Sequence, residues 1–202
     1  MNIPAVTGAL IAFEGLDQSG KETQAQLLRD RLREMRRKVR LMSFPDYGTS
    51  IGEEIARALA GEREYGPDVM QLLFIANRHE RRDAILEGIQ AGLILVCDRY
   101  RASSIAYGEA QGLDPAWLED VQRFLPMPAL TVFLDIQPAT AARRKAHDRD
   151  KYERDLALLQ RVSESYRRQA QHPGWVTIDG ERSKDEIGDD VFAAVSSRLG
   201  LA

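Results

Sequence analysis

The chain has 202 residues, enough for one domain with a substantial core, and its 44% apolar and 29% charged residues are ordinary for a globular protein. A net charge of −3 argues against a protein that coats nucleic acid by charge alone, so any basic cluster is a placed feature. The single cysteine, Cys97, excludes an intrachain disulfide, and no segment is apolar and long enough to span a membrane.

The N-terminal run "MNIPAVTGALIAF" lacks the charged start of a signal peptide and leads straight into a Gly-rich loop, so a cytoplasmic protein is expected. "ALIAFEG" (9–15) reads as a strand buried on both faces. Residues 21 to about 37 turn helical, with Leu27, Leu28, Leu32 and Met35 on one side. "VRLMSFP" (39–45) is a second strand, closed by Pro45. Residues 68–90 carry one long helical pattern with Leu72, Leu73, Ala76, Ile85 and Ile89 as its apolar face, and Gly92 ends it. "LILVCDRY" (93–100) is the third strand. Residues 103 to about 124 read as two short helices broken near Gly112, Leu113 and Asp114. "ALTVFLDI" (129–136) is the fourth strand, and Pro138 stands where a helix would start. A helix over about 153–171, a fifth strand "WVTIDG" (175–180) and a helix over 184–199 complete the chain. Strands that alternate with helices in this way predict an α/β fold, a five-stranded parallel sheet flanked by helices. No stretch looks like a domain boundary, so one domain spanning residues 1–202 is expected.

Several stretches carry chemistry. Gly15, Gly20 and Lys21 in "GLDQSGKETQ" fit the phosphate-loop template G-x-x-x-x-G-K-[ST] except at its last position, where Glu22 replaces the hydroxyl that would ligate magnesium. The loop follows an apolar strand and opens a helix, which the mechanism needs: backbone N–H groups point at phosphate oxygens and Lys21 neutralises their charge. Thr23 does not replace the missing hydroxyl, because one residue turns about 100° around a helix. Asp17 and Asp98, at the carboxyl ends of strands, are then the candidate metal acids. Glu22 itself is either a solvent-facing acid or one that touches the metal through water. Phe44 and Pro45 end a strand at the edge where open α/β folds bind ligands. Phe74 and Arg78 are four apart on one helix face, a pairing that suits a flat base with an exocyclic oxygen. Arg99 ends a strand and can fork onto a phosphate. Arg143, Arg144, Lys145, Arg149 and Lys151 crowd one segment and could close over a transferring phosphoryl group. Each has a plainer reading alone: a structural turn, a core aromatic, a surface ion pair, a solvated charge run.

Taken together, "GALIAFEGLDQSGKETQ", "FPDYGTSIG", "LLFIANR", "DRYRASSIAY" and "KYERD" resemble the thymidylate kinase family, over nearly the whole chain. The resemblance implies a P-loop NTPase three-layer sandwich with a short lid at about 142–152, and transfer of the γ-phosphoryl group of ATP to dTMP. It implies that Gly15, Leu16, Asp17, Gln18, Ser19, Gly20, Lys21, Glu22 and Thr23 cradle ATP. It implies a dTMP site of Asp17, Phe44, Pro45, Tyr47, Phe74, Arg78, Arg99, Ser103, Ser104, Tyr107 and Tyr152. Phe74 is similar to the aromatic that stacks on thymine, Arg78 to the arginine that meets its O4, and Arg99 to the one that grips the acceptor phosphate. Tyr107 would crowd a 2′-hydroxyl. The expected catalytic set is Asp17, Lys21, Arg99 and the lid arginines Arg144 and Arg149. Magnesium is the expected cofactor, with Asp17, Asp98 and Glu153 as candidate ligands. ATP and dTMP are the expected partners, with a homodimer and without nucleic acid or membrane.

Three departures stand out. Gln18 replaces an arginine that assists transfer in one subgroup, so that charge must come from the lid. Glu22 replaces the usual hydroxyl. Tyr47 stands where some members place a phosphate-binding arginine. Two other readings stay open: a kinase of another nucleoside monophosphate (dUMP, UMP or CMP), and a nucleotide-binding protein without catalysis.

Overall fold

The structure is a computed structural model and describes residues 8–144 and 155–201. In chain order it contains β1 (Ala9–Glu14), α1 (Lys21–Glu34), β2 (Val39–Ser43), α2 (Ser50–Leu59), α3 (Pro67–Glu80), α4 (Arg82–Gln90) and β3 (Ile94–Asp98). There follow α5 (Arg101–Ala110), α6 (Pro115–Asp120), β4 (Leu130–Asp135), α7 (Pro138–Arg144), α8 (Leu156–Gln169), β5 (Trp175–Asp179) and α9 (Lys184–Leu199).

The five strands form one parallel sheet in the order β2-β3-β1-β4-β5, as the alternation of strands and helices predicts. β1 lies at the centre, with Ile11 opposite both Val96 of β3 and Leu130 of β4. The chain builds one side of β1 and then crosses to the other. That reversal opens a crevice at the carboxyl edge, where the loops leaving β1 and β3 emerge side by side.

One face of the sheet is covered by α1 and α9. Ile11, Phe13, Val96, Val132 and Leu134 pack there against Ala25, Leu28 and Leu32 of α1 and Ile187, Val191 and Val195 of α9. A capping box at Ser183 and Glu186 starts α9, and Gly200 in the left-handed conformation ends it. On the other face, Leu10, Ala12, Leu95 and Cys97 pack with Phe44, Ile85 and Tyr100. Phe133 stacks on Tyr166 of α8 at 5.5 Å between ring centroids. This face also buries Glu14, Gln71, Asn77, Arg78, Arg101, Ser103 and Ser104. Cys97 is a free thiol wholly inside the sheet, and burial pushes its pKa far above the usual thiol range.

Two expectations are corrected. The long helical pattern over residues 68–90 is two helices, α3 and α4, broken at Arg81. Arg81 closes α3 with its N–H on the Arg78 carbonyl, and its Nε donates to Asp46 at 2.7 Å, tying the junction to the loop after β2. The apolar stripe assigned to α3 is also not its buried side. Leu72 and its neighbour Val69 are exposed, while Met70, Gln71, Ile75, Asn77 and Arg78 are buried. The inward side of α3 is partly polar because it faces a binding cavity. One helix was not anticipated. α2 is capped by Thr49, whose side chain accepts from the Gly52 N–H, and buries Ile55 and Ala58. A Cβ on Gly52 would lie 1.9 Å from the Asp46 carbonyl oxygen, so only glycine permits this close approach. Among the described residues, no helix is long and apolar enough to cross a membrane.

Candidate active site

The phosphate loop sits between β1 and α1, and two of its glycines have positive φ. Gly15 has φ 142, and a Cβ there would lie 2.6 Å from the Leu134 carbonyl oxygen. Gly20 is the N-cap of α1 with φ 93. The first N–H groups of α1 therefore open toward the crevice, where the helix dipole favours an anion. Asp17, Gln18, Gly20, Lys21, Glu22, Thr23, Asp98 and Arg99 line this crevice together. Lys21 is buried and its Nζ donates to the Leu16 carbonyl at 2.7 Å. Burial and the nearby Arg99 charge lower its pKa to about 8, against the opposing pull of Asp17, Asp98 and Glu14. At the rim, Arg144 of α7 donates to the Gln18 carbonyl and to the Gly180 carbonyl, each at 3.0 Å. Arg144, expected from the sequence to belong to a lid, is thus in contact with the phosphate loop. Glu22 is exposed and accepts from Gln26 at 3.1 Å.

A second cavity adjoins the crevice. It is lined by Asp17, Phe44, Pro45, Tyr47, Phe74, Arg78, Arg99, Ser103, Ser104 and Tyr107, all candidates read from the sequence, and by Leu59 and Gln71, which were not. The Phe44–Pro45 peptide bond is cis. Asn77 holds the loop that follows, accepting from the Asp46 N–H at 2.7 Å and donating to the Asp46 carbonyl and the Thr49 hydroxyl. Arg78 donates from Nη1 to the Ser104 hydroxyl at 2.8 Å, and its guanidinium lies 6.0 Å from the Phe44 ring centroid. Burial lowers its pKa to about 10, which leaves it protonated at neutral pH.

Asp17 and Arg99 line both compartments. Arg99 has φ 63, a left-handed conformation uncommon for a side-chain-bearing residue and found where surrounding structure enforces it. Its Nη2 donates to Asp17 at 2.5 Å, and its Nη1 donates to the Ser103 hydroxyl at 3.1 Å and the Tyr166 hydroxyl at 3.3 Å. Tyr107 donates to the other Asp17 oxygen at 3.0 Å. Burial alone would raise the Asp17 carboxyl. The adjacent Arg99 and Lys21 charges, with hydrogen bonds from Arg99 and Tyr107, hold it well below the usual carboxylate range. Burial would lower Arg99, and Asp17 raises it well above the ordinary arginine value. Glu14, at the end of β1, anchors this group. Its Oε1 accepts from the Tyr100 N–H at 2.9 Å, and its Oε2 from the Ser103 hydroxyl at 2.6 Å and the Tyr166 hydroxyl at 3.2 Å. Neither Glu14 nor Tyr166 was singled out in the sequence. An acid closing an apolar strand was the available signal for Glu14; Tyr166 lies among polar helix residues with no local mark.

Among the described residues, no three His, Cys, Asp or Glu side chains cluster to hold a metal by themselves. That suits magnesium, which keeps waters and takes substrate phosphate oxygens with one or two carboxylates. Both Asp17 oxygens already have partners. Asp98 Oδ1 is buried and has none, and Asp98 lines the crevice, so it has free capacity toward a metal or its water. Arg149, Tyr152 and Glu153 lie outside the described residues.

One compartment suits a polyphosphate and the other a flat ring carrying a phosphate. Joined at the carboxyl edge of a parallel sheet, they define a P-loop nucleotide kinase. Known proteins narrow the class. Residues 13–191 match the family model described as thymidylate kinase. The chain is 37% identical to the thymidylate kinase of Schizosaccharomyces pombe, over 94% of this chain and 92% of that protein. It is 32% identical to the human thymidylate kinase, over 91% of this chain and 88% of that protein. The solved structure of the Candida albicans thymidylate kinase superposes with a TM-score of 0.81 at 28% identity, covering 95% of this chain and 92% of that one. The chain belongs to the thymidylate kinase family.

Proposed function

We propose that this enzyme transfers the γ-phosphoryl group of ATP to dTMP, giving dTDP and ADP, for dTTP biosynthesis. The observation that carries the reading is the joining of the base-sized cavity to the phosphate crevice through Asp17 and Arg99.

In this reading the α1 N–H groups and Lys21 hold the ATP phosphates. Phe74 lies against thymine and Arg78 donates to its O4. Arg99 exchanges hydroxyl partners for the acceptor phosphate and holds it in line with the γ-phosphorus, while Asp17 keeps the guanidinium oriented. Tyr107 and Asp17 lie on the sugar side with Tyr152, and Tyr107 disfavours a 2′-hydroxyl. The acceptor phosphate is already an anion, so no general base is required. Asp98 is the described carboxylate best suited to hold magnesium or its water, with Glu153 a further candidate. Bound there, magnesium would supply charge neutralisation for the transferring phosphoryl group. Arg144, in contact with the phosphate loop, and Arg149, in the proposed lid over about residues 142–152, supply the charge that Gln18 lacks. The outward apolar residues Val69, Leu72 and Leu86 support a homodimer packed through α3 and α4. A cytoplasmic location fits the lone buried thiol.

A panel of dTMP, dUMP, UMP and CMP in a coupled ADP-release assay tests the reading. At least ~10-fold higher kcat/KM for dTMP than for CMP is expected from the donor-only Arg78 at O4. Equal values for the two would overturn it.

A further inference from the structure

Gln71 has no role in the assignment above, yet it is among the most enclosed polar residues of the acceptor cavity. It lies on α3 one turn before Phe74 and two turns before Arg78, and it lines the same cavity as both. Its residue exposure is 1%, and neither its Oε1 nor its Nε2 has a hydrogen-bond partner. Buried amide groups are nearly always bonded, because leaving them bare is costly. Its stem is confined as well. A Cβ placed on Gly108 of α5, next to Tyr107, would lie 3.2 Å from Gln71 Cγ. The side chain is therefore held between α3 and α5 with an unsatisfied acceptor and an unsatisfied donor in the wall of a ligand cavity.

Thymine carries complementary groups. Its ring presents O4 as an acceptor, N3–H as a donor and O2 as an acceptor. The charged Arg78 can only donate, so it can serve a carbonyl but not N3–H. We propose that Gln71 is a base-reading residue: its Oε1 accepts the N3–H of the pyrimidine and its Nε2 donates to a neighbouring carbonyl. It thereby selects bases that carry a proton on N3, thymine and uracil, over cytosine. Arg78 sets the register by meeting O4, and Gln71 then reads the adjacent position. A carboxamide alone could turn over to suit cytosine. Arg78 prevents this, because a 4-amino group would leave it facing another donor.

This inference rests on thymine occupying the Phe74–Arg78 cavity. The experiment compares dTMP with N3-methyl-dTMP in the wild-type enzyme and in Gln71→Met, Gln71→Glu and Phe74→Ala. The wild type should prefer dTMP by at least ~100-fold in kcat/KM, because a site built to bond an N–H leaves its acceptor unpaired against an analogue that lacks it. Gln71→Met removes both polar atoms at similar volume. It should raise KM for dTMP about tenfold more than it lowers kcat, and shrink the preference over N3-methyl-dTMP to within about threefold. Gln71→Glu keeps an acceptor and should retain most of that preference. It also stands in if the methionine variant does not fold. A purely structural Gln71 would lower activity on both substrates alike, and an unchanged preference in Gln71→Met would overturn the inference. If Gln71→Met does not fold, loss of the preference in Gln71→Glu would overturn it instead. Phe74→Ala separates the two levels. If it leaves KM for dTMP unchanged, the base is not in this cavity and the underlying reading fails. If it raises KM while the Gln71 variants keep the wild-type preference, only the role of Gln71 fails.

Discussion

The two faces of the sheet are built on different principles. Beneath α1 and α9 the core is a cluster of Ile, Leu, Val, Phe and Ala, with polar contacts between the two helices at its margin, where Gln24 donates to the Lys184 carbonyl and Arg31 to the Gly188 carbonyl. Beneath α3, α5 and α8, aromatic and aliphatic packing shares the interior with Glu14, Arg78, Arg101 and the serines of α5 and α8. Arg101 shows how that is sustained: it donates to the Gln122 and Leu125 carbonyls at 3.0 and 3.1 Å and pairs with Glu119. Such groups are tolerated inside because their partners are built in. Yet Gln71, Arg78 Nε and Asp98 Oδ1 are left bare in the walls of the two compartments. The contrast separates a face that supplies stability from one that keeps binding capacity in reserve for substrate.

The largest effect should come from the polar face. Arg99→Ala should lower kcat/KM for dTMP by ~10³-fold or more, with Arg99→Lys recovering little because an ammonium cannot fork onto phosphate and Asp17 together. Steady-state kinetics with a thermal melt as control decides this, and near-normal turnover would erase the distinction between the faces. Leu32 offers the reverse test. It is fully buried on the inner side of α1, and Leu32→Ala should cost about 2–5 kcal/mol of stability in urea unfolding. Turnover per folded molecule should be unchanged. A selective loss of kcat in that variant would mean that the apolar face also shapes the site.

Lys21 sharpens the comparison through pH. With its pKa lowered to about 8, it is partly neutral in the free enzyme in mildly alkaline solution. ATP phosphates favour its charged form, so binding at pH 8 should take up ~0.5 proton, and affinity should weaken as pH rises further. Calorimetry in two buffers of different ionisation enthalpy measures the uptake, and Lys21→Met should abolish it. For stability the sign is the opposite. The unfolded chain holds more protons than the folded one between about pH 8 and 10.5, so this group alone makes the fold more stable as pH rises through that window. The smallest effect belongs to Glu22. It faces solvent beside Gln26, so Glu22→Ser should change the magnesium dependence of turnover by less than ~2-fold. A large change in a magnesium titration would place Glu22 beside the metal.

The sheet was legible because strands buried on both faces write continuous apolar runs, and "ALIAFEG", "LILVCD" and "ALTVFLDI" do so. The acceptor cavity was legible wherever a residue type is costly without a purpose, as with Arg78 and Arg99. α3 was misread for the same physical reason that makes it useful. Its buried side carries Gln71, Asn77 and Arg78, so hydrophobic periodicity pointed to the opposite side. At the junction Arg81 pairs with Asp46, 35 residues earlier, a contact invisible to local pattern. Glu14 was passed over because its partners Ser103 and Tyr166 come from two distant helices.

Cys97 gives this molecule a built-in clock. The lone thiol is locked beneath Phe44, Ile85 and Tyr100 on one face of the sheet and its ionisation is suppressed by burial, so alkylating reagents reach it only when that covering layer lifts from β3. Its modification rate therefore counts openings of that face in the unlabelled, unmutated enzyme. Substrates that hold the loops after β1 and β3 together should slow that count.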